Sequence, residues 1–251
     1  MSVAACADLV QRGDPDRFRA VMAAPQHARA QLFPLYAFNL EIARAPWVTQ
    51  EVLIAEMRLQ WWRDVVENAA SGAAKAHEVA GPLHDLIRDF GLPVAALDRL
   101  IAARRWDIHR EPHADLPALQ DYLEDTGAGL MWLAARTLGA PDAAEPAVRA
   151  HGWATAAAGY LRAVPELRAR GRQPLPAGTA TEDLARMGLE RLATARAART
   201  SVPAEVAPAL LAGWQAEPLL KRALAGEGPP LELPEVQRRG RLLWQAVTGR
   251  W

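Results

Sequence analysis

Apolar residues along this chain recur mostly every three or four positions, the spacing of helices. Prolines and glycines interrupt this pattern at intervals that suit helices of about three to six turns. Asp14-Pro15 reads as a helix start, with the aspartate capping free amides and the proline at the first position, where no donor is needed. Phe18, Val21 and Met22 follow at helical spacing. A second helix is predicted over 28–45, ending where Pro46 removes a donor and obstructs the next turn. Thr49 is the expected cap of a third, with Glu51 in its first turn and an apolar run through Leu53, Met57, Trp61 and Val65.

The polar segment 71–78 reads as a loop before helices at 83–90 and 94–109. One or two helices span 116–139, interrupted at Gly127 and Gly129, and another spans 146–167. Residues 170–180 carry four Gly or Pro and form the longest expected loop, followed by helices at 182–200, 206–225 and 234–248. The last two are separated by the break Gly226-Glu227-Gly228-Pro229-Pro230. The pattern predicts an all-α bundle, read as one domain over 1–251 because no linker, repeat or composition shift marks a boundary.

Composition narrows the function classes. About half the residues are apolar and alanine abounds, which favours helices around a sizeable core. The 29 cationic and 29 acidic side chains balance, so no global field recruits nucleic acid, and none is expected as a partner. All cations but Lys75 and Lys221 are arginine, a bias that base composition of the coding sequence explains as well as phosphate binding does. Cys6 is the single cysteine, so an internal disulfide is excluded. The beginning of the chain lacks the pattern of a secretion signal, and the longest apolar run, 130–135, falls far short of the ~20 residues that span a bilayer. A cytoplasmic protein is expected, with any membrane contact peripheral and at the inner face.

Several local patterns invite a chemical reading. Asp121 and Asp125 stand four apart, a spacing that stacks carboxylates on one helix face; a solvated acidic face is the simpler reading, and no second pair faces it. His109 and His113 share the spacing of zinc-binding helices, but Pro112 breaks the helix that would make it useful. Arg58, Arg63 and Arg162 are candidates for gripping an anion inside the bundle, or else pair with Glu41, Asp64 and Glu166. Glu41, amid Phe38, Leu40 and Ile42, is either a buried carboxylate or an exposed helix residue. Trp61 and Trp62 point about 100° apart, so one at most should line a cavity. The run 238–247 combines arginines with Leu and Trp, and fits either an anionic membrane surface or a helix docked on the bundle.

The ordered blocks Arg17-Phe18, Leu35-Tyr36-Ala37-Phe38 and Glu56-Met57-Arg58-Leu59-Gln60-Trp61-Trp62-Arg63-Asp64 resemble the opening helices of the squalene and phytoene synthases. Tyr122 with Gly127-Ala128-Gly129, then Leu161-Arg162, then Gly171-Arg172 with Leu175-Pro176 continue the likeness over most of the chain. The resemblance implies an isoprenoid-synthase bundle with an elongated, central apolar cavity. In that family two helices each carry two aspartates four residues apart, which hold magnesium against a diphosphate. Here those positions fall on Ala43 and Trp47, and on Ala163 and Leu167, none of which ligates a metal. The glutamine and asparagine that precede the second pair map onto Ala156 and Gly159.

A branch with this profile is similar: the phytoene-synthase-like assembly factors of respiratory complex I and their bacterial relatives. Arg58-Leu59-Gln60-Trp61-Trp62-Arg63 and Leu161-Arg162-Ala163-Val164-Pro165 look closer to it than to the carotenoid enzymes. The resemblance implies a pseudoenzyme with no catalytic or metal-binding residues and no cofactor, acting as an assembly or chaperone-like factor on subunits of a membrane complex. Tyr36, Phe38, Glu41, Arg58, Trp62, Arg63 and Arg162 are its candidate substrate- or anion-binding residues. The alternatives are a magnesium-dependent prenyl transferase joining farnesyl or geranylgeranyl diphosphate head to head, with Asp121 and Asp125 in its metal site, or a carrier holding an isoprenoid or lipid.

Overall fold

The computed structural model describes residues 2–69, 72–226, 228 and 231–251, and every regular element among them is a helix. Helix α1 (Val3–Gly13) precedes the first expected one; it lacks a side-chain cap and a breaker at its start, and buries Cys6, Leu9 and Val10. α2 (Pro15–Met22) begins as predicted: the Asp14 carboxylate accepts the Arg17 amide at 3.0 Å and Pro15 follows the cap. α3 (Gln26–Arg44) is the central helix of the N-terminal half and stops two residues before Pro46.

α4 (Val52–Asn68) corrects the expected register. Thr49 accepts the Glu51 amide at 3.1 Å within the preceding turn and does not cap the helix, which starts three residues later. Its buried stripe is Ala55, Leu59, Trp62, Val65 and Val66, while Leu53 and Met57 are 71% and 63% exposed. Together with Val48, Val52 and Ile54 they leave an apolar patch open to solvent.

α5 (Ala80–Phe90) follows the expected loop, of which Ser71 lies outside the described residues. The single helix expected over 94–109 breaks at Arg104 into α6 (Val94–Ala103) and α7 (Arg105–His109). Arg110 then takes a left-handed φ of 60° and ends α7, so His109 and His113 do not share a helix. α8 (Leu116–Leu123), capped by Asp115, runs through one π-helical turn (Glu124–Ala128) into α9 (Gly129–Thr137). Gly127 and Gly129 therefore widen the helix and do not interrupt it.

α10 (Glu145–Ala169) is the central helix of the C-terminal half, and α11 (Thr181–Ala197) follows the loop predicted over 170–180. The helix expected at 206–225 is instead α12 (Ala207–Leu210) and α13 (Ala216–Leu224), joined through a short 3-10 turn. The break before α14 (Glu235–Thr248) was read on Gly226 to Pro230, of which Glu227, Pro229 and Pro230 lie outside the described residues. The largest core cluster gathers on α3 and α9, a second is built on α10, α11 and α13, and a small third surrounds Trp214. No helix among the described residues is long and apolar enough to cross a membrane.

Candidate functional site

The place where the resemblance expects a metal cluster is closed by arginine and tryptophan. Trp47 sits in the turn after α3, its amide bonded to the Arg44 carbonyl at 2.9 Å. The guanidinium groups of Arg170 and Arg172, from the loop after α10, stand 5.0 and 4.5 Å from its ring centre. These cations use the ring's negative face, an interaction worth ~0.5–2 kcal/mol each. Ala43 and Ala163 are half-buried, and Leu167 packs against the C-terminal core.

Behind Trp47 lies a polar knot. Arg172 donates to the Asp107 carbonyl, and its guanidinium also reaches the Trp106 ring at 5.6 Å. His113 stacks on Trp106 at 3.9 Å, nearly parallel, and burial pushes its pKa down to about 4. The buried Asp107 carboxylate accepts the Tyr122 hydroxyl at 3.0 Å. Arg104 donates to the same hydroxyl at 3.0 Å and to Asn39 at 3.4 Å, and stands 3.7 Å from Asp107. Burial drives the Asp107 pKa up, against the pull of Arg104 and the tyrosine bond. Burial likewise raises the Tyr122 pKa, so its hydroxyl stays protonated.

A pocket of about 200 Å³ opens beyond this knot, bordered by Tyr36, Asn39, Arg104, Tyr122, Gly127 and Gly152 among others. The volume is below the ~300–1,000 Å³ usual for small-molecule sites, and the walls are polar as well as apolar. It is smaller and more polar than the elongated apolar cavity that the resemblance implies. Close helix packing restricts it: a Cβ built on Gly152 would meet the Ala128 Cα at 2.8 Å. Tyr36 is buried here under the Arg17 guanidinium, 4.9 Å from its ring, and burial raises its pKa to about 12.

The other candidate residues lie elsewhere. Phe38 is a core residue, edge-on to Trp62 at 5.4 Å. Glu41, Arg58 and Trp62 border a side recess of about 240 Å³ with Trp61 and His77, so both tryptophans line it and the one-tryptophan expectation fails. Their rings meet edge-on at 4.8 Å, which brings the second indole to the same opening. Glu41 is mostly buried, 3.8 Å from the exposed Arg58. Arg63 pairs with Asp98, not Asp64, through two bonds of 2.5 and 2.9 Å. Arg162 pairs with Asp16 at 2.9 Å, not with Glu166, which holds Arg170 at 2.5 Å. The seven candidates thus divide among the central pocket, the core, the side recess and two ion pairs.

Sequence reasoning passed over Asn39, Arg104, Trp106 and Asp107. Asn39 lies three residues after Tyr36 on α3, and Arg104 and Asp107 are also three apart, a charged pair flanked by apolar residues. That pairing was the available signal. As for magnesium, the residues at the positions the resemblance assigns to the metal cluster do not fit it: Ala43, Trp47, Ala163 and Leu167 offer no side-chain oxygen donor. Among the described residues no three His, Cys, Asp or Glu side chains gather into a metal site. Asp121 is exposed and Asp125 part-buried where the π turn begins; burial raises the Asp125 pKa, and the Asp121 charge adds to that.

The architecture is that of the isoprenoid-synthase bundle. It superposes on a crystal structure of a dehydrosqualene synthase in complex with ligand, with a TM-score of 0.84 at 15% identity, covering 98% of this chain and 95% of that one. It also superposes on squalene synthase HpnC from Alicyclobacillus acidocaldarius, with a TM-score of 0.72 at 18% identity, covering 95% and 94%. The family's sequence profile matches residues 10–249, and the chain belongs to the squalene/phytoene synthase family. Within it, the chain is similar to NADH dehydrogenase (ubiquinone) complex I, assembly factor 6 of Bos taurus, 27% identical over 95% of this chain and 78% of the relative. The Homo sapiens protein of the same name is 25% identical over 86% and 72%.

Proposed function

We propose that this chain is a non-catalytic member of its family that serves the assembly of a membrane-bound NADH dehydrogenase. The observation that carries this reading is the Trp47 site, where two guanidinium groups cover an indole, at a position the resemblance assigns to a magnesium ligand. Diphosphate ionisation needs divalent cations to neutralise the leaving group, and a paired-arginine surface over tryptophan supplies none of their oxygen ligands. The similarity to complex I assembly factor 6 supports the same reading. So does the open apolar patch of α4, the kind of surface a protein partner covers. In this reading the protein works without magnesium, in the cytoplasm and at the inner face of the membrane, on subunits of the complex.

Deleting the gene and following NADH dehydrogenase by native electrophoresis and activity tests the role. Subcomplexes should accumulate, the wild-type gene should restore the complex, and Leu53→Ser/Met57→Ser should not. Normal assembly in the deletion strain rejects the proposal. The rival reading, head-to-head prenyl transfer, draws on the fold shared with dehydrosqualene synthase. Magnesium-dependent release of diphosphate from farnesyl or geranylgeranyl diphosphate by the purified protein would decide for it.

A further inference from the structure

α14 is mounted inside out. A surface helix ordinarily turns its apolar stripe inward and its charges to water. Here Val236, Leu243, Trp244 and Val247 face solvent, exposed by 84, 66, 50 and 76%. They fall at i, i+7, i+8 and i+11, one continuous face of the helix. The opposite face carries Arg238, Arg241 and the buried Gln245 beside Leu242 and Ala246, which pack near Trp214.

Ionic anchors hold the helix in this rotation. Arg238 bonds Asp16 on α2. Arg241 donates to the Trp214 carbonyl at 2.7 Å and to Glu217 on α13 at 3.0 Å. Past the helix end, Arg199 donates to the Gly249 carbonyl at 2.6 Å. Turning α14 over to hide its leucine and tryptophan would break the Arg238 and Arg241 bonds.

The ground around the anchors is positive. Asp16 is shared by Arg19, Arg162 and Arg238, and Glu217 by Arg196, Lys221 and Arg241. Arg19 and Arg238 also reach Glu235, which holds Arg239 as well, so seven cations face three carboxylates across these groups. At the edge of the apolar stripe the Arg239 side chain is 80% exposed, with Glu235 as its only ion-pair partner among the described residues, and Arg250 is exposed just beyond the helix.

We infer that the outward face of α14 docks on an anionic lipid bilayer. Tryptophan, leucine and valine on one face with arginines along the flanks is the composition of helices that lie in the interfacial plane. The surrounding positive charge matches acidic headgroups. A second copy of the chain is a poorer fit, because pairing the two faces would bring the same positive belts together. The α4 patch differs in its rim, where Glu56 pairs with Arg105 and His109, and it carries no such charge preference. This inference does not depend on the assembly role.

The test is co-flotation of the full chain with phosphatidylcholine vesicles, with and without phosphatidylglycerol. Wild-type protein should float with the anionic vesicles only and be released by high salt. Leu243→Ser/Trp244→Ser/Val247→Ser should lower the bound fraction about tenfold, and Arg239→Gln/Arg250→Gln should weaken it in the same direction. Leu53→Ser/Met57→Ser should bind as wild type. Thermal melts check that the variants fold, and Val247→Asp replaces the triple variant if that one does not. Wild-type protein that stays at the bottom with anionic vesicles overturns the inference. So does flotation that the α14 variants retain, or that the α4 variant abolishes. A dimer that the triple variant splits, without vesicle binding, assigns the face to a second copy.

Discussion

Gly127 and Ala156 press together so closely that a Cβ built on the glycine would stand 2.2 Å from the alanine Cβ. The small side chain of Ala156 lets α10 lie against the π turn. Gly127→Ala should therefore destabilise the fold by ~1–3 kcal/mol through overpacking, lowering Tm by several degrees. Gly159, one turn further along α10, has nothing within 4 Å of a built Cβ. Gly159→Ala should be neutral or stabilising by up to ~1 kcal/mol, as helix propensity dictates. Calorimetry of the two variants decides; equal losses would refute the packing argument.

Magnesium should not bind at the Trp47 site, and restoring one carboxylate should not bring it back. In Trp47→Asp the new carboxylate would lie beside Arg170 and Arg172, which would pair with it before any cation could. Isothermal titration with magnesium chloride should give no saturable heat for the wild type or the variant. Saturable, stoichiometric binding to either would defeat this account of the site.

Tyr122 joins two buried charges, accepting from Arg104 and donating to Asp107, both at 3.0 Å. Tyr122→Phe removes the hydroxyl and leaves both buried groups short of a partner. The expected loss is ~1–3 kcal/mol by urea unfolding. Breaking the more exposed Arg63–Asp98 pair with Asp98→Asn should cost only ~0–1 kcal/mol, despite its two-bond geometry. A larger loss at Asp98 than at Tyr122 would reverse this ranking.

The residues that announce themselves locally were readable in the sequence. Asp14-Pro15 starts α2 and Pro46 limits α3 because capping and ring clash act over a few bonds. Periodicity gave the all-α bundle, and the family likeness carried by Tyr36, Trp62 and Arg162 made it an isoprenoid-synthase one, since it encodes order along the chain. Partner choice was not readable: Arg162 finds Asp16, 146 positions away, and passes over Glu166 one turn along its own helix. The face of α4 was misread because Leu53 and Met57 are as apolar as a core stripe and yet point to solvent. Periodicity marks an apolar face without saying what will cover it. The Asp107 knot stayed hidden because its members come from α3, the break at Arg104, α7, α8 and the loops that carry His113 and Arg172, and meet only once the helices pack.

Glu217 gathers Arg196, Lys221 and Arg241 at 2.8, 2.7 and 3.0 Å, tying α11, α13 and α14 together. The Arg196 bond, aided by the other two cations against some burial, lowers its pKa to about 2 from the ordinary 4.5. A carboxylate whose folded pKa is depressed stabilises the fold above its unfolded pKa. That stabilisation fades as pH falls from 4.5 and is gone once pH passes below 2. Glu217→Gln should thus lower stability at neutral pH by about 1–2 kcal/mol, after discounting for solvent screening. The gap between variant and wild type should narrow as pH drops from 4.5 to 2 in urea titrations at stepped pH. A gap that stays constant over that window would mean the three cations do not stabilise the Glu217 carboxylate in the folded protein.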